Sequence, residues 1–201
     1  RRSSDLAYTV EPEKMRRSAG VFEDLGYELV MGRSTSLSEN CFAGSPADRA
    51  ADIMAMFEDT SIDAIICARG GYGVNRVLPL LDYDIIRQNP KILVGYSDIT
   101  GLLTSIAQKS GLVGFHGPML STFWNKTVQY NLDTLHRVLS GQDNIRIDSP
   151  DDCRARVLKP GTARGACWGG NLCLVVERLG TPEQVDTRGA ILVLEDIDEK
   201  L

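Results

Sequence analysis

From Glu11 to Leu25 the apolar positions Met15, Ala19, Phe22 and Leu25 recur at helical spacing, and Gly26 stands where such a helix stops. Tyr27 to Met31 then reads as a strand. Ser45-Pro46-Ala47-Asp48 supplies a cap and an N1 proline for a second helix, whose stripe is Ala50, Ile53, Met54 and Phe57. The run Asp63 to Ala68 is short, apolar on both faces and β-rich, the pattern of a strand inside a parallel sheet. Val74 to Leu81 follows as a helix, Lys91 to Gly95 as another buried strand, and Asp98 to Lys109 as a helix closed by Gly111. Asn131 to Leu139 is a further helix.

Strands alternating with helices predict an α/β fold, a doubly wound, mainly parallel sheet covered on both faces, over residues 1–141. Chemistry in such sheets gathers at the carboxyl ends of the strands. After Gly141 the texture changes. Asp143 to Pro150 is polar and linker-like, Arg154 to Gly165 reads as extended with a Pro-Gly turn, and only a helix over Asn171 to Leu179 and a strand over Ala190 to Leu194 follow. Residues 142–201 are therefore expected to form a smaller, incomplete, mainly β domain. Arg1-Arg2-Ser3-Ser4 reads as the middle of a loop, so both ends are expected to be cut.

The 201 residues are 43% hydrophobic and 24% charged, as in an ordinary globular protein. A net charge of −5 without a basic cluster argues against nucleic acid as the main partner. Neither a membrane span nor a secretory leader is visible. Five cysteines, an odd number with no C-x-x-C spacing, fit a reduced, cytoplasmic compartment, and no metal or cofactor is expected.

Two segments carry candidate chemistry. In Val94-Gly-Tyr-Ser-Asp-Ile99 a buried strand runs straight into a helix with Ser97 at the junction, where a hydroxyl is held off the sheet at the positive end of the helix. The same serine is equally readable as a helix cap and Asp98 as a first-turn acid, and Gly-x-Ser-x-Gly is only half met. In Ala68-Arg-Gly-Gly-Tyr-Gly73 the glycines let backbone amides approach a ligand closely, or simply make a turn. No dinucleotide or P-loop spacing is present.

Taken together, Cys67-Ala-Arg-Gly-Gly-Tyr-Gly73, Leu81-Asp-Tyr-Asp84, Gly95-Tyr-Ser-Asp-Ile-Thr100, His116-Gly-Pro-Met119, Gly169-Gly-Asn-Leu172 and Leu192-Val-Leu-Glu-Asp196 resemble the LD-carboxypeptidase family of muropeptide-trimming serine peptidases, in the expected order from about Pro12 to Glu199. The resemblance implies a first domain shaped like a class I glutamine amidotransferase, and Ser97 as nucleophile. It also implies the amides of Gly71 and Asp98 as oxyanion donors, Glu195 as the acid orienting a catalytic histidine, and Asn171 beside the cleft. Arg69 is a candidate for the substrate carboxylate, or for a loop ion pair. His116 and His136 match no catalytic position; the family's histidine lies beyond the Glu195 strand, outside this chain, so the fragment is expected to be nearly inactive. The implied reaction is hydrolysis of the bond before a terminal D-alanine in murein tetrapeptides, on a small peptide substrate, with a homodimer among the allowed assemblies. The alternatives are a self-immunity peptidase acting on a peptide-nucleotide antibiotic, for which Trp124 and Trp168 are the only tryptophans available for stacking, and a non-catalytic binding module in which Ser97 merely caps a helix.

Overall fold

The computed structural model describes residues 11–124, 129–141, 145–149 and 155–197. Three parallel strands, β1 (Ala64–Ile66), β2 (Ile92–Gly95) and β3 (Phe115–His116), lie side by side in that order. Neighbouring side chains on them point to opposite faces. Ile65 and Leu93 pack against α2 (Pro46–Glu58), α3 (Tyr83–Gln88) and α4 (Thr100–Ser110), around Phe57, Ile86, Leu102 and Ile106. On the other face Val94, Ile66 and Ile92 meet Met15 and Phe22 of α1 (Pro12–Asp24), Leu120, Phe123, and Leu135 of α5 (Gln129–Leu139). This is the two-faced α/β sheet that the apolar runs foretold.

Local signals explain most boundaries. Ser45 and Asp48 form a reciprocal capping box that starts α2. Asp82 accepts the N–H groups of Asp84 and Ile85 and so opens α3, which the hydrophobic pattern had not separated from its surroundings. Gly111, at φ +78°, ends α4. Val74 to Leu81 departs from expectation, forming two short 3-10 turns, Val74–Arg76 and Leu78–Leu80, because Pro79 has no N–H to continue a helix.

Tyr27 to Met31 joins no ladder among the described residues. Between this segment and β1 lies an elongated cavity of about 700 Å³, lined by Leu29, Met31, Ile53, Ile65, Ile66 and Leu132 among others. The apolar residues of the segment and of β1 face the same space.

A second sheet follows. β4 (Cys167–Asn171) and β5 (Ile191–Glu195) are parallel and joined through the short helix α6 (Leu172–Val176). β4 was not predicted, and α6 is shorter than the Asn171 to Leu179 helix expected. Residues 155–165 are irregular in the structure. The linker-like Asp143 to Pro150 stretch lies partly outside the described residues. The glycines of β4 explain both its position and its weak sequence signal. A Cβ on Gly169 would lie 1.9 Å from the Val193 carbonyl oxygen, and one on Gly170 would lie 2.5 Å from Thr100 Oγ1. Only a chain without side chains there can pass between β5 and α4.

Candidate active site

Ser97 sits where β2 gives way to a 3-10 turn, Ser97–Ile99, that leads into α4. Its φ is +60°, in the left-handed region that residues with a Cβ rarely occupy. Gly95 makes the sharp exit possible, since a Cβ there would lie 2.6 Å from Ile99 Cγ2. Backbone strain at a polar residue on a strand-to-helix bend is the arrangement expected of an exposed nucleophile, and an ordinary cap does not need it. Tyr96, not Ser97, is the residue flanking the 3-10 turn, and it makes no side-chain cap.

The glycine turn after β1 lies directly against this bend. A Cβ on Gly70 would stand 3.1 Å from Ser97 Cβ and 3.3 Å from its Oγ. Gly71, at φ +138°, and Gly73, at φ +92°, continue the turn. One end of it is fixed where the carbonyls of Cys67 and Ala68 accept the N–H groups of Leu120 and Ser121. Arg69 is half-buried within it and Tyr72 is exposed at its tip.

Asp98 is only 7% exposed. Its Oδ2 accepts the Val74 N–H at 3.1 Å. Burial pushes its carboxyl up to about 6, against the lowering influence of the Val74 N–H, of Arg49 and of Arg178. From the sequence this residue reads as a first-turn acid or as an amide donor, with no sign that its carboxylate is buried. Cys67, behind the turn, is a half-buried thiol pushed up to about 12 by desolvation and by the Asp98 charge, which disfavours its thiolate.

The second sheet brings Glu195 to the same region, at the carboxyl end of β5. Its Oε1 is buried without a hydrogen bond among the described residues and lies 3.9 Å from His116 Nε2. His116 ends β3, beside the Tyr96 ring and the Gly170 backbone. Burial lowers its pKa while Glu195 opposes the shift, so the imidazole is predominantly neutral near pH 7. This carboxylate–imidazole proximity was not foreseen, because the two residues are 79 positions apart in sequence. His136 is elsewhere, on exposed α5, where it meets the Tyr27 hydroxyl. Asn171 is held at both ends of its amide: Oδ1 accepts the Leu174 N–H and caps α6, while Nδ2 donates to Asp196. Its own N–H donates to Thr100 Oγ1 at 2.9 Å, tying β4 to the start of α4.

The junction of the two sheets is polar. Arg178, 3% exposed, donates to Thr104 Oγ1, to the Gly101 carbonyl and to Asn75 Oδ1. Glu183 meets Ser105 and Lys109. Among the described residues no three His, Cys, Asp or Glu side chains converge as a metal site, and no helix is long and apolar enough to cross a membrane. Cys41, Cys67, Cys167 and Cys173 are not in disulfides.

Comparison with known proteins agrees with this geometry. Residues 3–117 match the model of the LD-carboxypeptidase N-terminal domain, and residues 164–201 match that of the C-terminal domain. A Bacillus subtilis protein named "Probable murein peptide carboxypeptidase" is 39% identical over 196 residues, 94% of this chain and 60% of its own length. The muramoyltetrapeptide carboxypeptidase of Oxalobacter formigenes superposes with a TM-score of 0.82 at 29% identity, covering 96% of this chain and 64% of that one. The Escherichia coli microcin C7 self-immunity protein MccF is 36% identical over 118 residues, 59% of this chain and 34% of its own. The chain thus spans about three-fifths of the length of the Bacillus relative. On the two domain matches, the first of which spans more than half of it, the chain belongs to the LD-carboxypeptidase family.

Proposed function

We propose that this chain carries the nucleophile, the oxyanion donors and the orienting acid of a serine-type LD-carboxypeptidase that removes a terminal D-alanine from murein tetrapeptides in the cytoplasm. The observation that carries this reading is the Ser97 bend: a hydroxyl on a φ +60° residue, packed against a glycine turn. Attack by Ser97 Oγ on the scissile carbonyl would form an acyl-enzyme, with the amides of Gly71 and Asp98 receiving the oxyanion. Each such donor is worth roughly 3 kcal/mol of transition-state stabilisation. Water then releases the tripeptide. Glu195, with Oε1 buried and without a hydrogen bond among the described residues, is suited to accept an imidazole N–H. Arg69 is the candidate for the substrate's free carboxylate. For a substrate contact Asn171 has its second Nδ2 hydrogen, the first being donated to Asp196.

By the family resemblance the general base is a histidine matched by neither His116 nor His136, the two histidines of these 201 residues. By themselves they should acylate several orders of magnitude more slowly than the complete enzyme. The murein reading is favoured over self-immunity because the Bacillus relative matches 94% of the chain and MccF 59%. Trp124, one of the two tryptophans available for nucleotide stacking, already lies under the Lys14 ammonium.

The test is fluorophosphonate labelling and D-alanine release from a murein tetrapeptide, measured on full-length protein and on Ser97→Ala. Loss of both signals in the variant is expected. Equal labelling of the two would instead identify a binding module of the same shape.

A further inference from the structure

The Asp98 side chain has no part in the reaction just described, yet it occupies one of the most costly positions in the molecule, a buried carboxylate within two residues of the bend. Its partner explains its place. The Val74 N–H that it accepts belongs to the same peptide unit as the Gly73 carbonyl, and that carbonyl faces Arg49 Nη2 of α2 at 3.5 Å. The carbonyl also accepts the Arg76 N–H at 3.2 Å, so one end of the peptide group is held by an anion and the other by a backbone N–H and a cation. Gly73 itself is wedged against Phe42, whose Cε1 would lie 2.9 Å from a Cβ there. Arg49 and Arg76 both lie over the Phe42 ring.

We propose that the Asp98 carboxylate is a positioning group, which with Arg49 clamps the Gly73–Val74 peptide and so holds the glycine turn, and the Gly71 amide within it, against Ser97. The oxyanion half of this inference rests on the function proposed above; the clamp itself does not. The turn has two fixed ends, the Cys67–Ala68 carbonyls on the β1 side and the Gly73–Val74 peptide on the other. Between them lie Arg69, Gly70, Gly71 and Tyr72, and the two glycines supply the freedom that a clamp must remove. One residue therefore serves both sides of the site: its backbone N–H faces the reacting group and its side chain sets the opposite donor.

The groups facing this carboxylate are Arg49 from α2, Cys67 behind the turn, and Glu177 and Arg178 from the turn that follows α6, with Arg76 beside Arg49. Glu177 opposes the charge on Asp98 and the two arginines support it.

The experiment compares wild type, Asp98→Ala, Asp98→Asn and Arg49→Met in the full chain, by amide hydrogen exchange of the 69–76 segment and by fluorophosphonate acylation of full-length protein. Asp98→Ala is expected to speed exchange in that segment about tenfold, the equivalent of one lost buried hydrogen bond. Asp98→Asn keeps an acceptor and should restore protection to within about threefold. Arg49→Met perturbs the other end and should speed exchange in the same segment, so the clamp is tested even if the alanine variant folds poorly. In acylation, Asp98→Ala should lower the limiting rate about 100-fold, the scale of one oxyanion donor, with little change in half-saturation. Unchanged exchange in both Asp98→Ala and Arg49→Met overturns the clamp. Faster exchange with undiminished acylation overturns its link to the oxyanion site. If wild type itself fails to acylate while exchange responds as stated, the clamp stands and the peptidase assignment falls.

Discussion

Replacing Ser97 by glycine and by alanine separates the strain at the bend from the chemistry of its hydroxyl. A residue with a Cβ at φ +60° is disfavoured by roughly 1–2 kcal/mol relative to ordinary backbone, and glycine escapes that penalty. Glycine also frees the unfolded chain, a loss of roughly 0.5–1 kcal/mol against alanine. The difference leaves Ser97→Gly about 0.5–1 kcal/mol more stable than Ser97→Ala. At an unstrained site the order reverses; in the middle of α2, exposed Ala55→Gly should lose about 1 kcal/mol. Urea unfolding followed by circular dichroism gives both comparisons, provided the slopes with denaturant agree. The sign is the test, because measured magnitudes vary with context. If Ser97→Gly is less stable than Ser97→Ala by the amount seen at Ala55, the bend stores no strain and the case for a nucleophile on it loses its main support.

Asp98→Asn should be more stable than wild type at pH 8, by about 3 kcal/mol at most, because a carboxyl raised from 3.8 to about 6, the Val74 hydrogen bond included, makes its charge a net burden of about that size. The wild-type contribution from this group is fully present below pH 4 and lost as pH rises through 6, so the advantage of the variant should vanish near pH 4 in the same unfolding assay. Arg178→Ala removes donors to Thr104, Gly101 and Asn75 and should lower stability by about 3 kcal/mol in denaturant titration. Gly170→Ala forces a methyl to within 2.5 Å of Thr100 Oγ1 at φ +125°, and should lose about 3 kcal/mol, read as a thermal shift. His116, whose pKa is lowered by burial, should make stability fall as pH drops below about 6.5, and His116→Asn should flatten that limb.

The apolar runs over Asp63–Ala68 and Lys91–Gly95 disclosed β1 and β2 because a sheet packed on both faces leaves an unbroken hydrophobic stretch. The Ser45–Asp48 box and Gly111 marked helix ends by chemistry that acts within a few residues. β4 escaped notice for the opposite reason. Cys167-Trp-Gly-Gly-Asn171 has little intrinsic preference for a strand, and what makes it one is the approach of β5 and α4, visible only in three dimensions. Tyr27 to Met31 has a strand's composition but no neighbour to pair with among the described residues, which composition cannot supply. At the site, the Ser97 bend and the glycine turn were visible as local backbone features, whereas the roles expected of them came from the family resemblance. The Asp98 clamp and the His116–Glu195 approach join residues 24 and 79 positions apart, and no short-range pattern encodes them.

The joint between the two sheets explains how such distant residues are kept in register. α4 turns an apolar face, Leu102, Leu103 and Ile106, into the core beneath β2. Four other buried positions meet the second sheet and the segment after α6 through hydrogen bonds: Thr100 to the Asn171 amide, Gly101 and Thr104 to Arg178, Ser105 to Glu183. Ser97 stands one turn before this helix, so the element that fixes the bend also fixes where β4, and through it β5 and Glu195, comes to rest. Directional hydrogen bonds suit that task better than apolar packing, since each has a narrow range of distance and angle. A variant that loosens this joint should therefore disturb the placement of Glu195 before it disturbs Ser97. Crosslinking a Ser97→Cys, Glu195→Cys pair with reagents of graded length should then give a broader length profile in Arg178→Ala than in an otherwise unaltered chain, and equal profiles would show that the second sheet is held by something other than α4.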